Sequence, residues 1–317
     1  MAQNEQDRRP QRIVVFMGGI SHEREVSLMS GKGVCEALRS KGFDVTPFDP
    51  ATDAVEMLEE GKFDAAFNAL HGKLGEDGSI QGLCNCLGLP YTGPGVEASA
   101  VAMDKELTKI VWRAAGVPVP EGVRLSSRPE RPAVEALAAR FAKTGFVVKP
   151  DRDGSSIGVT KVLAEDASAD ALEAALELAF SQGEGALVEE YIHGREFTIA
   201  LIDGKALPVI EIQAPEGSYD FQNKYYTDVT KYVCPAELPE QASAALRAAC
   251  ELAYRALGCR GWARVDALMR PDGRFALLEI NTAPGMTPHS LVPMAARAVG
   301  MDYASLCEAL LKLACVD

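Results

Sequence analysis

Four side chains late in the chain have the types and spacing for metal-assisted phosphoryl chemistry: Arg264, Asp266, Glu279 and Asn281. They fall in two runs, Gly261-Trp262-Ala263-Arg264-Val265-Asp266-Ala267 and Phe275-Ala276-Leu277-Leu278-Glu279-Ile280-Asn281, with Pro271-Asp272-Gly273 between them as the turn. Alternate side chains of a strand share a face, so Arg264 goes with Asp266, and Glu279 with Asn281. A two-residue Asp272-Gly273 turn sets Asp266 opposite Glu279 and Arg264 opposite Asn281, with all four pointing the same way. Carboxylates facing each other at a Cβ separation of ~5 Å repel, and a cation between them relieves the conflict. Oxygen-only ligands suit Mg2+ or Mn2+ rather than zinc, and Mg2+ characteristically shares its shell with nucleotide phosphates. A fixed guanidinium beside it suits the charge that spreads over a transferring phosphoryl group. The bland alternative is a solvated strand face with chance charges; the shared face and the arginine argue against it.

A second constellation is a strand, 146–149, that ends in Lys149 and runs into Gly154-Ser155-Ser156 before a further strand at 158–163. The backbone N–H groups of such a loop can fold over phosphates while Lys149 supplies a point charge. It is not a Walker A loop, because Gly-Lys-Ser/Thr is missing and no helix follows; Gly31-Lys32-Gly33 fails the same test. Gly93-Pro94-Gly95-Val96-Glu97-Ala98 fits Gly-x-Gly-x-x-Ala but sits outside the first strand-helix turn that a dinucleotide fingerprint requires. By itself the Gly154 loop reads equally as a flexible hairpin tip.

These residues need elements to hold them. Over the first hundred residues an apolar run at 13–17, a helical stretch at 27–39, an extended stretch at 44–48 and an apolar run at 65–70 follow one another, which reads as a doubly wound α/β module. One long amphipathic stretch, 97–115, ends at Gly116 with Pro118 following, the stop signals of a helix leading out of that module. A boundary near Met103 gives a first domain of 1–103. From 104 to 190, short strands around two helices make a small α+β lobe. The last part, 191–317, opens with paired strands at 196–202 and 207–212, continues through a polar loop at 214–231, and adds an alanine-rich helix, the metal-type hairpin and two closing helices. Structureless loops of that length in compact domains are functional lids or disordered.

The 317 residues carry a net charge of -13 with 47% hydrophobic and 24% charged residues. That is a soluble globular balance, and it lacks the basic stripes that coat nucleic acid. The eight cysteines are scattered without zinc spacing, so buried free thiols are expected. Residues 1–12 are polar and the next apolar run is too short for export or membrane spanning, so a cytoplasmic protein with a frayed N-terminal tail is expected, with neither nucleic acid nor membrane as partner.

Together these residues resemble the ATP-grasp superfamily and, within it, the D-alanine–D-alanine ligase family, over nearly the whole chain. The carriers are the run Gly18-Gly19-Ile20-Ser21-His22-Glu23-Arg24-Glu25-Val26-Ser27, Ala69-Leu70-His71-Gly72 with Gly75-Glu76-Asp77-Gly78, Tyr91-Thr92-Gly93-Pro94-Gly95, and Met103-Asp104-Lys105. Lys149 with the Gly154 loop, Lys224-Tyr225, the 261–266 strand and Glu279-Ile280-Asn281-Thr282-Ala283-Pro284-Gly285-Met286-Thr287 complete them. The resemblance implies an α/β fold with an N-terminal doubly wound domain and two ATP-grasp lobes. It implies a D-alanyl phosphate formed from ATP, attack by a second D-alanine, and a dipeptide for peptidoglycan synthesis.

By the same resemblance, Lys105 and Lys149 hold nucleotide phosphates, Ser155, Ser156 and Lys224 also bind ATP, Glu189 and Glu196 lie near adenine and ribose, and Asp266, Glu279 and Asn281 ligate two Mg2+ or Mn2+ ions. Glu23 receives the first D-alanine's ammonium beside His71, while Ser290 and Leu291 hold the second carboxylate. Arg264 and Gly285 form an oxyanion site, and the 214–231 loop is a cover whose Tyr225 reaches Ser155 and Glu23. A homodimer is expected of such a family. Residue chemistry leaves blander roles open: Glu23 as an acidic group in a first helical turn, His71 as a satisfied strand-end histidine, Ser290 as a simple N-cap with Pro293 in the first turn, Gly285 as a tight turn. Ala283, Pro288 and Glu190 depart from the family pattern, the last at a position where lysine often contacts adenine. The rival readings are an ATP-grasp ligase for another carboxylate and amine, including the D-lactate type, and a regulatory module that has lost turnover.

Overall fold

The computed structural model describes residues 11–151, 158–183, 185–214 and 230–317. The N-terminal tail, Ser155, Ser156, Lys224 and Tyr225 lie outside the described residues, as does most of the 214–231 loop.

The chain opens with β1 (Arg12–Phe16), α1 (Arg24–Ser40), β2 (Asp44–Phe48), α2 (Glu56–Glu60) and β3 (Ala65–Asn68). The strands form a parallel sheet in the order β2-β1-β3, with Ile13 level with Val45 on one side and Ala65 on the other. Ile13 to Phe16 are all buried, as a strand covered on both faces must be. Ile13 and Val15 pack with Val34 and Leu38 of α1. Val14 and Phe16 pack the other way, with Leu58 of α2 and with Ile80 and Cys84 of α3 (Ser79–Leu87).

The amphipathic stretch at 97–115 is not one helix. It is α4 (Val96–Met103) and α5 (Lys105–Ala114), broken at Asp104. Asp104 adopts an extended φ/ψ of -91 and 102, and its carboxylate accepts the Leu107 N–H at 3.0 Å. An aspartate that caps a new helix stops the old one, and the break makes Lys105 the first residue of α5.

Next come β4 (Gly122–Leu125), α6 (Arg131–Phe141), β5 (Phe146–Pro150), β6 (Thr160–Val162), α7 (Ala169–Gln182) and β7 (Ala186–Glu190). The sheet is antiparallel, in the order β4-β7-β5-β6. Phe146, Val148 and Val188 bury against Phe141, Leu172 and Leu176 of the two helices. Alternation then turns Lys149 and Glu189 to the opposite face.

The last sheet contains β8 (Arg195–Ile202), β9 (Lys205–Ala206), β10 (Ile210–Gln213) and β11 (Lys231–Val233). After α8 (Glu240–Ala256) it is completed by β12 (Trp262–Met269) and β13 (Phe275–Asn281). Its order is β11-β10-β8-β12-β13, with β9 beside β8. Phe197, Ile199, Ala263, Val265 and Leu277 bury against Leu246, Cys250 and Ala253 of α8. The even-numbered residues Thr198, Arg264 and Asp266 therefore face the other way, into the crevice. Finally α9 (Leu291–Ala298) and α10 (Tyr303–Leu311) return to the first sheet, where Leu306, Cys307 and Leu310 share a core with α1.

Cys35, Cys84, Cys250 and Cys307 are buried free thiols as expected, whereas Cys86 and Cys315 are exposed. Among the described residues no helix is long and apolar enough to cross a membrane.

Candidate active site

The β12–β13 hairpin presents its four polar residues as expected, but by another route. Its loop has three residues, 271–273: Arg270 N–H donates to Arg274 O at 2.8 Å, Gly273 N–H to Arg270 O at 2.9 Å, and Gly273 takes φ +84. Such a loop throws the ladder out by one residue relative to a two-residue turn. A β-bulge restores it: Ala267 pairs with Leu277 and Asp266 with Glu279, leaving Leu278 as the extra residue. Arg264 then lies opposite Asn281.

Asp266, 7% exposed, accepts from three side chains. Arg264 grips it through Nε at 2.9 Å and Nη2 at 2.8 Å, Thr198 Oγ1 donates at 2.5 Å and Asn281 Nδ2 at 3.3 Å. Glu279 meets Lys105 Nζ at 3.5 Å across the crevice. Arg124 braces that lysine's helix: Nη1 holds the Asp104 cap at 3.1 Å, and Nη2 holds Asp151, at the base of the glycine-serine loop, at 2.5 Å.

On the facing sheet Glu189 divides its oxygens between two lysines, Oε1 to Lys109 Nζ and Oε2 to Lys149 Nζ, the latter at 2.6 Å. Burial opposes the charge on Glu189, yet Lys149 and Lys109 outweigh it and hold the carboxyl below its usual range. For Lys149 burial is likewise overcome, by Glu189 and Glu279, and the ammonium is raised. Glu196 lies on β8 level with Leu268, two residues from Thr198 and on the same crevice face. Glu190 pairs with Arg270 Nη1 at 2.9 Å and Nη2 at 2.6 Å, and accepts the Glu121 N–H at 2.9 Å.

At the N-terminal end His71 is buried. Its Nδ1–H donates to Ala283 O at 2.8 Å, since a carbonyl only accepts, which leaves Nε2 to accept from the Ser30 hydroxyl at 3.2 Å. Burial is the chief reason its pKa falls below 6.5, against the pull of Glu23. Ser30 Oγ in turn accepts Met286 N–H at 3.1 Å, tying α1 to the loop after β13. The bond to Ala283 uses only backbone, so that departure from the family pattern costs His71 nothing. Glu23 sits immediately before α1, close to Gly72. Glu76 belongs to the same patch: burial, then Glu23, push its carboxyl up to about 8.

Ser290 occupies the N-cap position of α9, but its hydroxyl does not cap the helix. It accepts the Thr287 N–H at 3.0 Å, shares a 2.8 Å bond with Thr287 Oγ1, and lies where a side chain on Gly285 would meet it. The simple-cap reading therefore gives way to one in which Ser290 shapes the 285–290 turn, with Leu291 beginning the helix. Glu76, Lys109, Thr198, Ser30 and Arg124 were not singled out as site residues from sequence. Only Glu76 carried a signal, its place in Gly75-Glu76-Asp77-Gly78.

Among the described residues no three His, Cys, Asp or Glu side chains group to hold a metal by themselves. Two carboxylates and an amide supply part of an oxygen shell, which fits an ion that draws its remaining ligands from phosphates.

Two lobes, each a sheet backed by helices, face one another with lysines on one side and acids with an arginine on the other. This is the architecture of the ATP-grasp class of carboxylate–amine ligases. Family models described as D-ala D-ala ligase C-terminus and N-terminus match residues 111–312 and 49–94. A D-alanine–D-alanine ligase from Aromatoleum aromaticum is 51% identical over 301 residues, 95% of each chain. The crystal structure of the Bacillus anthracis D-alanine–D-alanine ligase complexed with ATP superposes with a TM-score of 0.81 at 33% identity, covering 96% of this chain and 97% of that one. The VanG D-Ala:D-Ser ligase of Enterococcus faecalis gives 0.81 at 31% identity, covering 96% and 99%. The chain belongs to the D-alanine–D-alanine ligase family.

Proposed function

We propose that the chain joins two D-alanines at the expense of ATP. The first carboxylate takes the γ-phosphoryl group, the second amine displaces phosphate from the acyl phosphate, and dipeptide, ADP and phosphate leave. The observation that carries this reading is the crevice itself, where Lys105 and Lys149 stand opposite Arg264, Asp266 and Glu279, and one pair, Lys105 with Glu279, already touches across it.

In this reading Lys105 and Lys149 bind phosphates, Ser155, Ser156 and Lys224 complete the ATP site, and Glu189 and Glu196 lie near adenine and ribose. Asp266, Glu279 and Asn281 would hold two Mg2+ or Mn2+ ions, which supply charge neutralisation for phosphoryl transfer. Arg264 is fixed by its bidentate grip on Asp266, so its guanidinium meets developing oxyanion charge, with the Gly285 backbone, without reorganising. Glu23 receives the first ammonium beside the neutral His71. Ser290 and the α9 N-terminus at Leu291 receive the second carboxylate, since first-turn N–H groups favour anions. Tyr225 and the 214–231 loop exclude water from the acyl phosphate, whose hydrolysis is the competing reaction.

The division at 103 and 190 into a substrate domain and two lobes, a homodimeric assembly, a cytoplasmic setting and a place in peptidoglycan precursor synthesis belong to the same proposal. The likeness to a D-Ala:D-Ser enzyme makes the second substrate the decisive variable. Phosphate release is measured with ATP and D-alanine alone, D-alanine with D-serine, D-alanine with D-lactate, and L-alanine. Turnover with D-alanine alone is expected; turnover that requires D-serine or D-lactate refutes the assignment.

A further inference from the structure

Lys109 is not among the groups assigned to ATP, metal or substrate. It lies one turn after Lys105 on the same face of α5, so both lysines point at the crevice from one helix, Lys105 toward Glu279 and Lys109 toward Glu189. The Lys109 side chain is 0% exposed, whereas Lys149, on the other oxygen of the same carboxylate, keeps 12%. Glu189 therefore has an interior partner and a crevice-edge partner. We infer that Lys109 is a positioning residue for the nucleotide: as the interior partner of Glu189, it frees Lys149 to leave that carboxylate and take phosphate. This rests on the placing of Lys149 at the phosphates.

The physical reason is the cost of an unpaired buried charge. A carboxylate as enclosed as Glu189 resists losing all its partners, because removing one member of a buried pair strands the other. With Lys109 present, Glu189 keeps a charge-assisted bond when Lys149 departs. With Lys109 removed, phosphate and Glu189 compete for the same ammonium. Burial, with Lys149 adding repulsion, pulls the Lys109 ammonium down to about 7 against the pull of Glu189, and departure of Lys149 removes that repulsion.

The test measures KM for ATP and kcat in the full-length parent, Lys109→Met, Glu189→Gln, the double variant and Lys149→Met. Lys109→Met is expected to raise KM for ATP about tenfold or more while kcat at saturating ATP stays within about threefold, since the loss falls on binding. On the Glu189→Gln background the same substitution should change KM by less than about twofold, because a neutral amide does not retain Lys149. A general structural defect would instead lower kcat through the active fraction, in both backgrounds. An unchanged KM in Lys109→Met, or an equal rise in both backgrounds, overturns the inference. If Lys109→Met fails to fold, Glu189→Gln against the double variant still decides, since any clear KM difference there refutes the mechanism. Should Lys149→Met leave KM unchanged, the phosphate assignment itself falls; should it raise KM while Lys109→Met does not, only the present inference falls.

Discussion

The Glu190–Arg270 pair joins the end of β7 to the tip of the β12–β13 hairpin, 80 residues away in the chain, and its strength can be worked out. The side chains are 10% and 23% exposed, and the two contacts are 2.6 and 2.9 Å. At a charge separation of about 4 Å and an effective dielectric of about 20, the attraction is about 4 kcal/mol. The effective dielectric already carries the desolvation, and the loss of about 2 kcal/mol of arginine rotamer freedom offsets roughly half of the attraction. A coupling of about 2 kcal/mol remains, within the range for hydrogen bonds to charged groups. Chemical denaturation of the parent, Arg270→Met, Glu190→Gln and the double variant gives the coupling directly. Each single change should cost about 2 kcal/mol and the double little more than either, because a partner already lost cannot be lost again. A coupling below about 0.5 kcal/mol would reduce the pair to an ordinary surface contact and refute the reasoning.

Three further outcomes are expected. Glu279→Ala should lower phosphate release by about 10²-fold or more while far-UV circular dichroism stays unchanged, as for loss of an electrostatic anchor of the transition state; a variant that keeps most activity removes the metal assignment. His71 has a folded-state pKa below 6.5, so the unfolded chain takes up its proton more readily: stability present above pH 6.5 is lost as pH falls below it. His71→Gln should lack that part of the decline between pH 8 and 5.5, and parallel melting curves would contradict it. The Asp317 carboxylate, despite partial burial, is pulled down to about 2 by Val96 N–H, Asn85, Tyr91 and Arg260. It adds stability that is full above the unfolded value near 3.8 and lost as pH falls through about 2. Asp317→Asn should cost about 1 kcal/mol after screening of this half-exposed group, unchanged from pH 7 to 5 and narrowing below 4; a pH-independent difference would argue against the ionic origin.

Which face of each strand carries chemistry was legible in the residues, because period-2 alternation needs no tertiary information: Arg264, Asp266, Glu279 and Asn281 share a side as the pleat requires. The break at Asp104 was hidden by strong helical periodicity and the lack of any Gly or Pro between 96 and 115; the aspartate before Lys105 was its one local mark. Asp-Gly is the strongest two-residue hairpin signal, whereas Gly273 here serves as the left-handed last residue of a three-residue loop, which local residues do not distinguish. The Lys109–Glu189 contact spans 80 residues and two elements, so no local pattern announces it. The position of Ser290 before a helix is visible in the residues, whereas its engagement with Thr287 depends on the 285–290 turn and leaves no local pattern.

The irregular step at Leu278 does more than repair a count. Were the three-residue loop followed by an unbroken ladder, Leu278 would stand across from Asp266, and Glu279 and Asn281 would be turned toward Cys250 and Ala253 inside the protein. The kink lets a single hairpin satisfy two alignments set at its opposite ends, with Arg270 aimed at Glu190 by the loop and Glu279 at Asp266 by the step. Changes of loop length at the tip are thereby insulated from the acidic end, provided the chain can absorb the odd residue at the same place.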